Sequence, residues 1–233
     1  KILESLSSDP TIKVIFLCSP GNPTGTILAP ADVRRILESD YAGIVVVDEA
    51  YIDFCDETDS VATWVLEFPN LIVTQTLSKS FGLAGIRLGI AITTPEIAQL
   101  LNNTKAPYNV STPASELATA ALSPAGISTM RATVDLLLAQ RARLLAELPK
   151  LPGIGRILGG NHANFVLVEI LGSGGKPDNA RAFNAYRHLA ESDGVVVRFR
   201  GNEVGCEGCL RMTVGSEEEN GVLLEKLGKF LAA

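Results

Sequence analysis

The 233-residue sequence predicts an α/β fold, in which a largely parallel sheet flanked by helices precedes a smaller C-terminal α+β domain. Between residues 11 and 94, short apolar runs of strand length alternate with segments of helical periodicity, which is the pattern of βαβ units. Hydrophobic residues make up 46% of the chain, enough for a buried core. Pro149 and Pro152 follow a long helical segment and separate the two regions.

The first region contains four predicted strands and three predicted helices. The strands lie at residues 14–18, 44–47, 71–73 and 87–92, and the helices at residues 30–40, 95–103 and 113–122. In the first of these helices, Pro30 occupies the first turn, and Val33, Ile36 and Leu37 recur at helical spacing. Residues 1–4 have the pattern of a helix interior.

The second region follows a long helix predicted at residues 123–148. Its predicted strands lie at residues 164–170, 194–200 and 210–214, and a helix lies at residues 178–193. Ser216 opens a final helix with Glu219 three residues later, which is the pattern of a capping box. The expected division is therefore a large domain, a connecting helix and a small domain, at residues 1–122, 123–152 and 153–233.

Charge and hydropathy exclude two classes of partner. The formal net charge is −6, from 20 basic and 26 acidic side chains, and no basic block is present, which argues against nucleic-acid binding. No apolar run approaches the ~20 residues that a membrane-spanning helix needs, so we expect no membrane partner.

The four cysteines indicate a reducing compartment, and we expect a cytoplasmic protein; they are Cys18, Cys55, Cys206 and Cys209. The last two form a single C-x-x-C pair. A zinc site would need two further ligands, and neither a second such pair nor paired histidines accompany it. We therefore expect no metal, and we interpret the pair as part of a loop that enters the following strand.

Polar clusters follow three of the predicted strands, at residues 19–25, 48–51 and 78–89. Each cluster alone has a simpler interpretation, as a turn or as the start of a helix. Ligands of open α/β sheets bind at the carboxyl ends of the strands, and all three clusters fall there. Together they predict one ligand site.

Lys79 is the most informative residue of the third cluster. A desolvated lysine loses its proton more readily and can attack a carbonyl carbon. Ser78 and Arg87 provide a hydroxyl group and a cation, a combination that suits a phosphate monoester. A carbonyl-attacking lysine beside a phosphate cradle indicates pyridoxal 5'-phosphate (PLP) as the cofactor.

These motifs, from Val14 through the segment that contains Arg211, resemble the fold-type I PLP-dependent aminotransferases. The exact residues of the motifs are similar to those of the histidinol-phosphate aminotransferase branch. In that family a substantial N-terminal part precedes the strand that leads into the Asn-Pro-Thr-Gly motif. The resemblance therefore implies that the large domain is partial here. It also implies a homodimer.

The resemblance assigns roles to seven residues. Asn22 and Tyr51 would hydrogen-bond the phenolic oxygen of PLP, and Asp48 would pair with its pyridine nitrogen. Lys79 would link covalently to the cofactor and move the proton, while Ser78 and Arg87 would hold the phosphate. Arg211 would bind the α-carboxylate of a substrate. A buried carboxylate at Asp48 would keep the pyridine nitrogen protonated, which electron withdrawal by the ring requires.

Arg198 lies thirteen residues before Arg211 and is the candidate for the phosphate of a substrate. The resemblance implies transamination between L-histidinol phosphate, a phosphorylated amino alcohol, and 2-oxoglutarate, with glutamate as the partner. Three alternatives stay open: a threonine-phosphate decarboxylase, an aromatic aminotransferase, and a non-catalytic effector domain of a transcription regulator. The last would require a DNA-binding segment upstream.

Overall fold

The computed structural model describes residues 1–233, which form two compact units. The N-terminal unit comprises residues 1–21 and 27–131, and the C-terminal unit comprises residues 22–26 and 132–233. A helix at Pro124–Glu147 contributes its first residues to one unit and the remainder to the other. The three-part division expected from the sequence stays a prediction.

The N-terminal unit contains a four-stranded sheet in the order β1-β2-β3-β4. Its strands are β1 (Val14–Cys18), β2 (Ile44–Asp48), β3 (Leu71–Thr76) and β4 (Gly89–Ile92). The first three strands are parallel, as predicted, whereas β4 pairs antiparallel with β3. The connection between β3 and β4 contains only the 3-10 helix Ala84–Ile86 and no α-helix, so it makes a reversal and not the helical crossover that usually joins parallel strands.

Five α-helices begin in this unit, and the three predicted helices of the first region are confirmed. They are α1 (Ile2–Ser8), α2 (Pro30–Leu37), α3 (Pro95–Thr104), α4 (Thr112–Ala121) and α5 (Pro124–Glu147). Helix α2 buries its apolar stripe against the sheet, in a cluster that includes Val33, Ile36, Leu37, Val45, Val47, Leu71 and Val73. This packing holds the strand ends, and the loops that follow them, in place.

The C-terminal unit contains an antiparallel sheet in the order β5-β6-β8-β7. Its strands are β5 (Ile154–Leu158), β6 (Phe165–Ile170), β7 (Arg198–Phe199) and β8 (Cys209–Thr213), and its further helices are α6 (Asn179–Glu191) and α7 (Glu217–Ala232). The two helices and the end of α5 cover one face of the sheet, in a cluster that includes Val166, Val168, Leu210, Met212, Leu189 and Leu227.

Two predictions for this unit need correction, and one is confirmed. The strand predicted at residues 194–200 is only the two residues of β7, because the amide of Val195 donates to the carbonyl of Leu189 at 2.8 Å instead of joining the sheet. Strand β5 was missed, since its pairing with β6 is irregular. The capping box is present: the Ser216 hydroxyl accepts from the Glu219 amide at 3.2 Å, and the Glu219 carboxylate accepts from the Ser216 amide at 2.7 Å.

None of the helices combines the length and the apolar composition that crossing a membrane requires.

Candidate active site

Asp48 lies at the carboxyl edge of the N-terminal sheet. Its Cα pairs with those of Cys18 on β1 and Thr74 on β3, so the three side chains share one face of the sheet. The carboxylate is half-buried and accepts a hydrogen bond from the Ala50 amide at 3.0 Å. Burial raises the pKa of the Cys18 thiol, and the negative charge of Asp48 raises it further. The negative charge of Asp48 therefore influences a side chain on the neighbouring strand β1.

The fully buried carboxylate of the Asp-Glu pair is Glu49, not Asp48 as the sequence suggested. Glu49 is 1% exposed and accepts hydrogen bonds from Ser60 Oγ (2.8 Å), the Val61 amide (2.7 Å) and Gln75 Nε2 (2.9 Å). Three donors compensate the cost of removing the charge from water. This network ties the chain between Asp48 and Tyr51 to β3, and no sequence signal identified it.

Lys79 and Tyr51 contact each other. The Lys79 Nζ lies 5.2 Å from the centroid of the Tyr51 ring, within range of a cation–π interaction. Tyr51 is buried, whereas Lys79 is exposed and forms no ion pair. The desolvation expected for Lys79 is therefore absent from this chain, because only one side of the lysine is covered by protein.

The loop around Lys79 is held by short-range hydrogen bonds. Thr76 Oγ1 donates to Ser78 Oγ at 2.8 Å, and the Ser78 amide donates to Thr76 Oγ1 at 3.1 Å. Two backbone bonds close the loop: the Gly82 amide donates to the Lys79 carbonyl (3.1 Å), and the Leu83 amide donates to the Leu77 carbonyl (2.9 Å). Gly82 has a φ of +67°, which favours glycine over any residue with a side chain.

Arg87 lies just before β4, whose first residue Gly89 pairs with Thr76 at the end of β3. The antiparallel turn therefore returns Arg87 to the strand edge that carries Ser78. Its backbone is left-handed, with a φ of 54°, and its guanidinium donates to the Ala84 carbonyl at 3.0 Å. Arg87 is exposed and forms no ion pair, so its remaining N–H groups can donate hydrogen bonds to an anion.

The donor set of this edge fits PLP. A cofactor with an aldehyde, a phosphate, a phenolic oxygen and a pyridine nitrogen needs an amine, an anion cradle, a hydroxyl donor and a carboxylate. Lys79, Tyr51 and Asp48 would supply the amine, the hydroxyl and the carboxylate, and Ser78 with Arg87 would supply the cradle. A Cβ added at Gly82 or Gly85 would meet no atom within 4 Å, so the loop borders open space.

The C-terminal unit holds the other three predicted residues. The Arg211 guanidinium donates to Asn22 Oδ1 at 2.6 Å and lies over the ring of Phe165, 4.9 Å from its centroid. Phe165 and Arg211 belong to the neighbouring strands β6 and β8, and Asn22 lies in the short segment that belongs to this unit. The sequence analysis did not identify Phe165, since a single aromatic residue in a strand has no distinctive pattern.

The Asn22 segment is anchored by backbone hydrogen bonds. The Gly160 amide donates to the Thr24 carbonyl at 3.1 Å, and the His162 amide donates to the Gly25 carbonyl at 2.8 Å. Gly25 has a φ of +60°, and a Cβ there would lie 3.3 Å from the His162 amide nitrogen. A glycine is therefore required for the segment to approach this backbone so closely.

Arg198 and Arg211 are directly opposite each other on β7 and β8. Paired residues of an antiparallel sheet project to the same face, so both arginines lie on the face away from the helices. Like charges in this arrangement destabilise strand pairing. Two guanidinium groups on one sheet face are suited to bind a molecule with two anionic groups.

The Cys206–Cys209 segment is a turn that leads into β8, since the Cys209 amide donates to the Cys206 carbonyl at 3.0 Å. Both thiols are buried, and burial raises the pKa of Cys209 to about 12. The structure contains no group of three or more His, Cys, Asp or Glu side chains that could hold a metal ion.

The family profile described as "Aminotransferase class I and II" matches residues 1–227. The chain belongs to this aminotransferase family. It is 53% identical over 229 residues to a histidinol-phosphate aminotransferase of Schizosaccharomyces pombe, covering 97% of this chain and 60% of that protein. A histidinol-phosphate aminotransferase of Saccharomyces cerevisiae is 48% identical over 225 residues, covering 96% and 57%. The chain thus spans about three-fifths of the length of these aminotransferases.

A solved histidinol-phosphate aminotransferase of Sinorhizobium meliloti, in complex with pyridoxal-5'-phosphate, has the same fold. It superposes with a TM-score of 0.83 at 23% identity, over 99% of this chain and 60% of that one. The predicted α/β fold of the aminotransferase is therefore confirmed.

Proposed function

We propose that the protein carrying this chain is a PLP-dependent histidinol-phosphate aminotransferase, which transfers the amino group of L-histidinol phosphate to 2-oxoglutarate and produces glutamate. The observation that carries the proposal is the opposed pair Arg198 and Arg211, in a chain 53% identical to an aminotransferase of that name. A phosphorylated amino alcohol and a dicarboxylate both need cations beyond the one that holds the cofactor.

Five residues of the N-terminal unit would hold PLP. Lys79 would bind it covalently through Nζ, Asp48 would pair with the pyridine nitrogen, and Tyr51 would donate its hydroxyl to the phenolic oxygen. Ser78 and Arg87 would bind the phosphate. When bound, PLP supplies an electron sink that acidifies the C–H bond next to the substrate nitrogen. The Lys79 amine would move that proton, accepting it at Nζ and passing it on.

Three residues of the C-terminal unit would bind the substrates. Arg211 would hold the α-carboxylate of glutamate or 2-oxoglutarate in a bidentate contact. Asn22 would orient Arg211 through the 2.6 Å hydrogen bond, in addition to donating to the phenolic oxygen of PLP. Arg198 would bind the phosphate of L-histidinol phosphate.

The proposal includes a cytoplasmic homodimer. The four cysteines, which form no disulfide, support a reducing compartment, and the family resemblance supports the dimer. Light scattering on the full-length protein would test the assembly, and a fully active monomer would contradict it.

The test of the function is an assay of the full-length protein, loaded with PLP, for glutamate formation from L-histidinol phosphate and 2-oxoglutarate. Tyrosine and O-phosphothreonine serve as matched competing substrates. We expect glutamate from L-histidinol phosphate and no release of CO₂ from O-phosphothreonine. Faster turnover of tyrosine, or CO₂ release, would replace the proposal by an aromatic aminotransferase or a decarboxylase, respectively.

A further inference from the structure

Ser80 and Asp53 connect the Lys79 loop to the segment that carries Tyr51. The Ser80 hydroxyl donates a hydrogen bond to the Asp53 carboxylate. Ser80 is 5% exposed and follows Lys79 directly. Asp53 lies two residues after Tyr51, in the 3-10 helix Ile52–Phe54. The contact therefore bridges 27 positions of the chain and joins the two segments that place an amine and a phenol side by side.

The contact completes the restraint of the backbone around Lys79. On the preceding side, Ser78 is tied to Thr76, and the backbone bonds to Leu77 and Lys79 close the loop. On the following side, Ser80 is tied to Asp53. Lys79 is thus the exposed residue between two serines that are each held by a side-chain hydrogen bond.

A lysine in this position needs such support. The four-carbon side chain has several rotatable bonds, and no carboxylate holds the exposed ammonium. Its direction is therefore set by its backbone and by the face of the Tyr51 ring at 5.2 Å. A hydrogen bond to a charged acceptor is about twice as strong as one between neutral groups. The Asp53–Ser80 contact is suited to hold the backbone of Lys79 at a fixed distance from the Tyr51 segment.

We propose that Asp53 and Ser80 are a positioning pair, which keeps the Lys79 amine over Tyr51 and ready to bond to PLP. This proposal rests on the proposed function, since it concerns the lysine that would bind the cofactor. Neither residue needs to touch the cofactor or the substrate; both act through Lys79.

The first experiment needs no cofactor. Hydrogen exchange at the amides of Gly82 and Leu83, which close the Lys79 loop, would be compared in PLP-free full-length protein. We expect Ser80→Ala to accelerate this exchange about tenfold, because one side of the loop loses its restraint. Thr11→Ala is the matched control, since it also removes a hydroxyl–carboxylate hydrogen bond in the N-terminal unit, to Asp9, at a position outside the network of Glu49 and the Lys79 loop. It should leave both amides unchanged.

The second experiment measures the rate at which added PLP bonds to Lys79, by borohydride trapping and mass spectrometry of the Lys79 peptide. Ser80→Ala and Asp53→Ala should each slow the reaction about tenfold, and the double variant should be no slower than either. Asp53→Asn keeps an acceptor oxygen and should have a smaller effect. The Thr11→Ala rate should equal that of the wild type.

The outcomes separate the two proposals. Additive effects of Ser80→Ala and Asp53→Ala, or equal slowing by Thr11→Ala, would overturn the positioning pair while leaving the aminotransferase proposal intact. A wild-type protein that acquires no PLP at Lys79 would overturn both. Unchanged exchange at Gly82 and Leu83 in Ser80→Ala would also reject the positioning role, whatever the effect on turnover.

Discussion

The two sheets of this chain carry their candidate functional residues in different ways. The N-terminal sheet is mainly parallel, and its residues Asp48, Tyr51 and Lys79 lie at or beyond the ends of strands. The C-terminal sheet is antiparallel, and Arg198 and Arg211 lie within its strands. A parallel sheet collects loop residues at one edge, whereas an antiparallel sheet collects strand residues on one face. The first arrangement suits covalent chemistry on a held cofactor, and the second suits the binding of an extended anionic substrate.

The largest expected effect is that of Lys79→Ala in the full-length protein. Loss of the amine should remove the covalent bond to PLP and the proton carrier together, and lower turnover by about 10⁴-fold or more. Single-turnover kinetics and borohydride trapping would measure the two losses. Lys79→Arg should lose as much turnover, because a guanidinium cannot form the covalent bond. The control is the exposed Lys105→Ala, which should have wild-type turnover. Turnover near the wild-type level in Lys79→Ala would assign the chemistry to another group.

Asp48→Asn should come next, with turnover about 10³-fold lower and PLP still bound. A neutral amide cannot favour the protonated pyridine nitrogen, on which electron withdrawal by the ring depends. The matched comparison is Asp53→Asn, a carboxylate of the same unit that we place outside direct cofactor contact. A loss of less than about tenfold for Asp48→Asn, near 1.4 kcal/mol, would reduce its role to the hydrogen bond with the Ala50 amide.

Substitutions of Arg198 and Arg211 should have smaller effects, and the two substitutions should impair opposite half-reactions. Arg198→Ala should cost about 2–3 kcal/mol in kcat/KM for L-histidinol phosphate and less for glutamate, since the lost contact is to the phosphate. Arg211→Ala should show the reverse preference, because L-histidinol phosphate lacks an α-carboxylate. The two half-reactions, followed separately by cofactor absorbance, give these values. Equal losses in both half-reactions for Arg198→Ala would remove the reason to prefer a phosphorylated substrate.

The smallest expected effect concerns the pH dependence of the stability of the C-terminal unit. The Arg156 guanidinium hydrogen-bonds the Glu169 carboxylate at 2.7 Å and lowers the pKa of Glu169 below its ordinary 4.5. A carboxyl group with a lowered folded-state pKa stabilises the fold above pH 4.5, and this contribution disappears as the pH falls through the folded value. The free energy of unfolding of the C-terminal unit, measured with urea, should therefore decrease as the pH falls over that range. Glu169→Gln should flatten the dependence. Glu191→Gln should flatten it less, because the Arg187–Glu191 ion pair is exposed and screened by solvent.

The strand-end motifs could be predicted from the sequence because each depends on local order along the chain. An apolar run followed by Asp48 to Tyr51, or by Ser78 and Lys79, identifies both the strand and the loop after it. The first residues of β1, β2 and β3 follow from the same pattern, although β3 runs three residues beyond the predicted 71–73.

Features that depend on contacts between distant segments could not be predicted. The antiparallel direction of β4, the burial of Glu49 and the hydrogen bond between Ser80 and Asp53 all join positions that the sequence does not mark as neighbours. Arg198 and Arg211 were identified as candidates, yet their direct opposition depends on strand register, which only the fold determines. The exposure of Lys79 likewise depends on what packs around it, and the residue types near it give no measure of that.

The opposed arginines also link anion binding to the integrity of the sheet. Strand β7 pairs with β8 through only two residue pairs, Arg198 with Arg211 and Phe199 with Leu210. One of these pairs brings two like charges together, and an anion bound to both would turn that repulsion into attraction. By thermodynamic linkage, whatever binds the paired state preferentially also stabilises it. The edge strand should therefore be least securely paired in dilute buffer and most securely paired with a doubly anionic ligand, so a ligand of that kind would complete the sheet to which it binds.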